Sequence, residues 1–248
     1  MAPALDPQVW ATDVVTAIVR WGIEGAPVAN PLSGEHAFRF KSAQEVAEDY
    51  RQRVRAVGFA RAVDELIEDQ ARWNAGTGFL TGLGGFSLLP VQLPAAATAT
   101  WVIQTRLVGA IAHLNGFDLE HEAVRTQILL TLVGEEAGEV LKQVGVKASQ
   151  QFAQAQLRRL PSALLTAINR AVGFQLVTKF GERGVVNLHR VIPVVGGLVG
   201  GGIDYVMTRR LGEFAAQELG RRSHASAGDG TADDDVINVE VIDVRIVD

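Results

Sequence analysis

From Trp73 to Thr105 the chain reads WNAGTGFLTGLGGFSLLPVQLPAAATATWVIQT, thirty-three residues without a single Lys, Arg, Asp or Glu. Elsewhere charge is common, since 21% of the whole chain is charged. An uninterrupted apolar run of about eighteen or more residues is long enough to cross a bilayer as a helix. Here Pro90 and Pro94 intervene. Each lacks the N–H that a helix interior needs and pushes the residue before it toward extended geometry. The stretch is therefore expected as two shorter helical pieces meeting at a proline turn. Such a hairpin can sit at the centre of a helical bundle or enter a membrane as a re-entrant segment. In the second case Phe79, Leu80, Leu83, Phe86, Leu88, Leu89 and Trp101 are the candidate lipid contacts.

Around this stretch the pattern is helical. Asp6-Pro7 offers a cap followed by a first-position proline, and Val14, Ile18, Val19 and Trp21 follow as a stripe that ends near Gly25. GAPVANPLSG reads as an exposed loop. Ser42 and Glu45 have the spacing of a capping box, opening one long charged helix that delivers the chain to Gly76. Beyond the apolar stretch, Gly116 stops a helix and Asp118 caps the next, with Ile128, Leu129, Leu132 and Val133 on its buried side. Gly145 closes that segment. Pro161 starts a short helix that Gly173 breaks, and FGERG from Phe180 to Gly184 reads as a tight connection. Pro193 opens a final helix through Leu219.

The fold expected is all-α, a multi-helix bundle around the Gly/Pro-containing apolar hairpin, with a flexible acidic C-terminal tail. Residues 1–41 form an N-terminal helix and loop, 42–222 the helical domain, and 223–248 the tail. At 248 residues the chain can bury one sizeable core. It has no cysteine, which excludes disulfides and thiolate chemistry. MAPALDPQVW has no basic region ahead of an apolar run, so the expected location is cytoplasmic, at the inner face of the cell membrane.

Net charge is −5, unevenly spread. Ser223 to Asp248 carries seven acids against Arg245, a net of −6, whereas Val146 to Arg222 carries eleven Lys/Arg and four Asp/Glu, a net of +7. A basic half can meet anionic membrane lipid, each residue near the surface contributing about 1 kcal/mol. It can equally be a solvated helical surface. The tail ends in VINVEVIDVRIVD, which alternates imperfectly in the manner of a strand and could dock on a protein partner. No feature points to nucleic acid.

Catalytic grammar is sparse. His121-Glu122 begins like a zinc motif, but Arg125 stands where the second ligand belongs. No phosphate loop or dinucleotide fingerprint follows a strand, and Ser87 lies in GFSLL rather than in a nucleophile elbow. No cofactor or metal is expected. The weak catalytic candidates are His113, Glu135 and Glu139, which could equally be structural. A buried polar set is expected from Arg106, His113, Glu135, Glu139, Lys147, Lys179 and Asp204, with Arg106 pairing Glu135 or Glu139, and Asp204 pairing Lys147 or Lys179. Gly78 and Gly82, and the overlapping pairs Gly196/Gly200 and Gly197/Gly201, leave helix faces bare enough for close packing, in the manner of a glycine zipper.

The blocks GFLTGLGGF, TRLVGAIAHLNGFD, VGEEAGEVLKQVGVK, LLTAINRAVGFQLVTKFGERG and VIPVVGGLVGGGIDYVMTR, in this order between about Val46 and Glu213, resemble the EcsC protein family of bacteria. The resemblance implies a link to ABC transport or envelope processes, because the founding member is encoded beside the subunits of such a transporter. It implies no catalytic residue. Two functions follow as expectations: a membrane-associated helical accessory protein, peripheral or re-entrant, or a soluble helical scaffold recruiting a partner through its tail. A hydrolase or metal enzyme is a weaker third.

Overall fold

The computed structural model describes residues 7–25, 27–29, 36–82, 95–146, 157–187 and 193–228. Its architecture is an all-α bundle. Helix α1 (Pro7–Ile18) runs into a π-helical turn, Val19–Ile23. The segment expected as a loop instead contains a small antiparallel ribbon, β1 (Pro27–Ala29) against β2 (His36–Arg39), with Val28 opposite Phe38. Strands of three and four residues are too short to show an alternation in sequence.

Helix α2 (Ala43–Val57) begins with the expected capping box: Glu45 N–H donates to Ser42 Oγ at 3.1 Å, and Ser42 N–H donates to Glu45 Oε2 at 2.8 Å. Such a cap contributes about 1 kcal/mol. The long helix expected from here is split, because Gly58 takes φ +88°, a conformation that L side chains rarely adopt. The chain turns back as α3 (Phe59–Gly82), antiparallel to α2, and Arg53 reaches Glu65 across the pair at 2.9 Å.

Helix α4 (Ala95–Leu114) ends at Gly116, φ +84°, where Gly116 N–H donates to His113 and Phe117 N–H to Ala112. Helix α5 (Glu122–Val133) is capped by His121, whose Nδ1 accepts from Ala123 N–H at 3.2 Å. Asp118 was the expected cap. Its carboxylate instead accepts from Glu120 N–H in the preceding turn. A short 3₁₀ turn, Gly134–Glu136, leads to α6 (Ala137–Gln143).

Helix α7 (Ser162–Asn187) is continuous through Gly173 and through FGERG, both expected as breaks. At Gly173 it crosses α1 so closely that a Cβ would stand 2.2 Å from the Ala11 carbonyl oxygen. This glycine is a packing device, and helix propensity alone is too weak to end a helix whose neighbour needs the space. Helix α8 (Pro193–Gly228) runs past Leu219, the expected end.

The core has two parts. One gathers α2, α3, α4 and α8 through residues such as Leu66, Leu107, Ile111 and Leu219. The other gathers α1, α5, α6 and α7 through Ile18, Leu129, Leu141 and Ile168. Helices α4 and α5 contribute to both. Accordingly α4 is buried without interruption from Trp101 to Ala112, as a helix apolar all round requires. Its cores are stabilised by about 1.5–3 kcal/mol for each large side chain removed from water. Among the described residues no helix is long and apolar enough to cross a membrane.

Candidate functional site

One group of buried polar side chains lies where α3, α4 and α8 meet. Thr208 Oγ1, on α8, accepts Asn74 Nδ2–H of α3 at 2.7 Å and Gln104 Nε2–H of α4 at 3.3 Å. Arg106 is 5% exposed. Its Nε and Nη2 donate to Gln70 Oε1 at 3.2 and 2.9 Å, and its guanidinium lies 5.7 Å from the Phe40 ring centroid. That ring also meets Trp21 edge-on. Burial lowers the guanidinium pKa to about 10, so the group stays charged at neutral pH.

The expected partners of Arg106 are elsewhere. Glu135 is exposed, and Glu139, also exposed, pairs with Lys142 at 2.7 Å. Neither belongs to a buried set. The physical reason is packing: α4 turns its Arg106 side toward α3, and an amide oxygen and an aromatic face satisfy the cation there. His113 lies at the other end of α4, with Nε2 3.1 Å from Arg51 Nη2 and 3.4 Å from Glu48 Oε1. Among the described residues no three His, Asp or Glu side chains could hold a metal ion, so His113, Glu135 and Glu139 do not form that site. Lys147 and the side chain of Lys179 lie outside the described residues, and so do the pairings expected for Asp204. Asp204 itself is half-buried, and burial pushes its carboxyl pKa up to about 6.

Of the candidate lipid contacts, Trp101 is 8% exposed and packs in the second core. It is a core residue because α4 is enclosed on every side at its level. Leu83, Phe86, Leu88 and Leu89, and the side chains of Phe79 and Leu80, lie outside the described residues. Of the glycine faces, Gly201 meets the α3 backbone, where a Cβ would stand 2.9 Å from the Ala75 carbonyl oxygen. The surroundings of Gly78, Gly82, Gly196, Gly197 and Gly200 are outside the description. Residues 229–248, with the strand-like tail, are outside it too.

An open cleft of about 810 Å³ lies between α3 and α8, lined by Arg53, Arg61, Arg72 and Arg209 on one side of the charge balance and Glu65, Glu68, Asp69 and Glu213 on the other. These groups satisfy one another. Arg72 holds Glu68 at 2.8 Å, Arg209 holds Glu213 at 3.0 Å, and Tyr205 donates to Glu68 at 2.7 Å. Tyr50 donates to Asp69, and burial together with that carboxylate raises the phenol pKa. The Tyr205 hydrogen bond, ahead of the arginines, lowers the Glu68 pKa. An anionic ligand would have to displace carboxylates already in place, so the cleft is a solvated ion-pair surface whose exposed, screened pairs add little to stability.

What folding leaves unexplained is the outer face of α8. Its inward face carries small residues, Gly201, Thr208, Gly212 and Ala215, all buried. Its outward face carries large apolar ones: Ile203 is 54% exposed, Val206 45%, Met207 47% and Phe214 37%. Ile203, Met207, Arg210 and Phe214 follow one another at helical spacing, and Arg209 and Arg210 are exposed beside them. Single exposed apolar residues are ordinary; a run along one helix face marks a surface that meets something apolar. Sequence reasoning missed this stripe because it took the glycines as the signal of α8. The signal that could have found it is the segregation of small and large apolar residues onto opposite faces.

Neither a curated protein nor a solved structure matches the chain. The model of the EcsC protein family matches residues 38–222, from the second ribbon strand to the last turns of α8. The chain belongs to the EcsC protein family.

Proposed function

We propose that this protein is a peripheral membrane-associated helical accessory protein that meets anionic lipid through the outer face of α8, at the inner face of the cell membrane. The observation that carries this reading is the exposed run Ile203, Val206, Met207 and Phe214 with the exposed Arg210 among them. Apolar side chains on one face can bury themselves at the headgroup boundary while a guanidinium on the same face meets phosphate. Burial contributes about 25 cal/mol per Å² of apolar surface, and each basic residue about 1 kcal/mol more on anionic lipid. The net +7 of residues 146–222 supports the same surface chemistry. The role of an accessory to a transporter or envelope process comes from the family resemblance alone.

Flotation with liposomes tests the reading. The full chain should float with vesicles containing anionic lipid, and less as salt rises, because exposed charges are screened beyond about 10 Å at 0.1 M. Replacing Ile203 and Met207 by Asp should lower the bound fraction about tenfold or more, since two apolar contacts are lost. A protein that stays at the bottom of the gradient on every lipid composition rules the proposal out.

A further inference from the structure

We infer that the acidic C-terminal segment, residues 229–248, covers the outer face of α8 in cis and competes there with lipid. The observations are the exposed stripe, the charge of each partner, and the reach of the chain between them.

Helix α8 ends at Gly228, and Phe214 and Ile203 lie about 21 and 37 Å back along its axis at about 1.5 Å per residue. The linker from Asp229 to Asp235 is seven residues, so at about 3.3 Å per residue it spans about 23 Å. That is enough to bring Val236 back to the level of Phe214. The thirteen residues from Val236 to Asp248 then reach well beyond Ile203 even when not fully extended. Eight of these thirteen are Val or Ile, the chemistry that the stripe lacks a partner for.

Charge follows the same register. Asp233, Asp234 and Asp235 precede the apolar run, and Arg221 and Arg222 lie in the last turns of α8, where a returning linker passes first. Glu240 then stands about 13 Å beyond the level of Phe214, within about 7 Å of the level of Arg210. The segment is net acidic and the helix it returns along is basic there, whereas anionic lipid repels the segment. Tethering supplies an effective concentration on the order of 1 mM, so a contact with an untethered Kd of about 0.1 mM would be closed about ten times out of eleven. The competition with lipid rests on the proposed function above; the contact itself does not.

The chain has no cysteine, so a single introduced thiol reports one place. In full-length protein carrying Met207→Cys, maleimide labelling without lipid should be about tenfold slower than in the same protein with Val241→Ser, Ile242→Ser and Val244→Ser. Rates should not depend on protein concentration. Asp233→Asn, Asp234→Asn and Asp235→Asn provide a second tail variant that should also label faster, and circular dichroism checks that each keeps its helices. Equal rates in all three proteins overturn the inference. Slow labelling only at high protein concentration overturns it as well, because a second copy is then the cover.

Flotation of the cysteine-free chain, with and without the three serine substitutions, separates the two proposals. Stronger flotation of the serine variant supports the competition. Slow labelling with no flotation by either protein leaves the contact standing and removes the lipid reading. Equal labelling with equal flotation removes the contact and leaves the lipid reading.

Discussion

Asp204 sits on α8 between the exposed Ile203 and the buried Thr208. Its burial disfavours the charged carboxylate and raises the pKa from 3.8 to about 6. Between those values the folded protein binds a proton that the unfolded chain does not. The contribution to stability is therefore fully present below 3.8 and is lost as pH rises through about 6. Asp204→Asn should raise the melting temperature at neutral pH and leave it unchanged in acid below 3.8. Equal melting of the two proteins at both pH values would show that the carboxyl is solvated. At this scale the sequence announced which polar residues are unusual but not their partners. Arg106 stands out because it ends an uncharged run, and it is indeed buried. Gln70 and Phe40 carry no pattern that marks them, since their role follows only from how α3 and the residue after the ribbon lie beside Arg106.

Whole elements were legible where a signal is local. The Ser42/Glu45 box and the stop at Gly116 work within one turn of backbone, and both are present as read. Gly58 and Gly173 show the limit, because a glycine can end a helix or let another helix approach, and only the neighbour decides. That distinction gives a paired prediction. At Gly173 an added methyl meets the Ala11 backbone, which cannot swing aside, so Gly173→Ala should destabilise by about 1–3 kcal/mol. Gly76, in α3, has nothing within 4 Å of its would-be Cβ. There Gly76→Ala should stabilise by about 0.5–1 kcal/mol, through helix propensity alone. Urea unfolding of both variants measures the difference, and shifts of the same sign would remove the packing account of Gly173. The outer face of α8 was missed at this same scale. Ile203 and Met207 look like core residues in sequence, and only the position of α3 against Gly201 and Thr208 turns them outward.

For the molecule as a whole, the question is whether two cores make two folding units. Leu107 and Ile111 place α4 in the first core, while Trp101 and Val102 place the preceding turns of the same helix in the second. Helix α5 divides its side chains similarly, with Val124 and Ile128 in one and Leu129 and Leu130 in the other. Neither core can lose its packing while those two helices remain ordered by the other alone, because each would then expose a fully apolar face to water. Unfolding should therefore be a single transition, despite a length at which separate units become common. Leu107→Ala weakens the first core and Ile168→Ala the second; both side chains are fully buried, and each truncation should cost about 2–5 kcal/mol. Calorimetry of either variant should show one peak, moved to lower temperature as a whole. Two peaks, with only one displaced by each substitution, would mean that the cores unfold independently and that α4 does not join them.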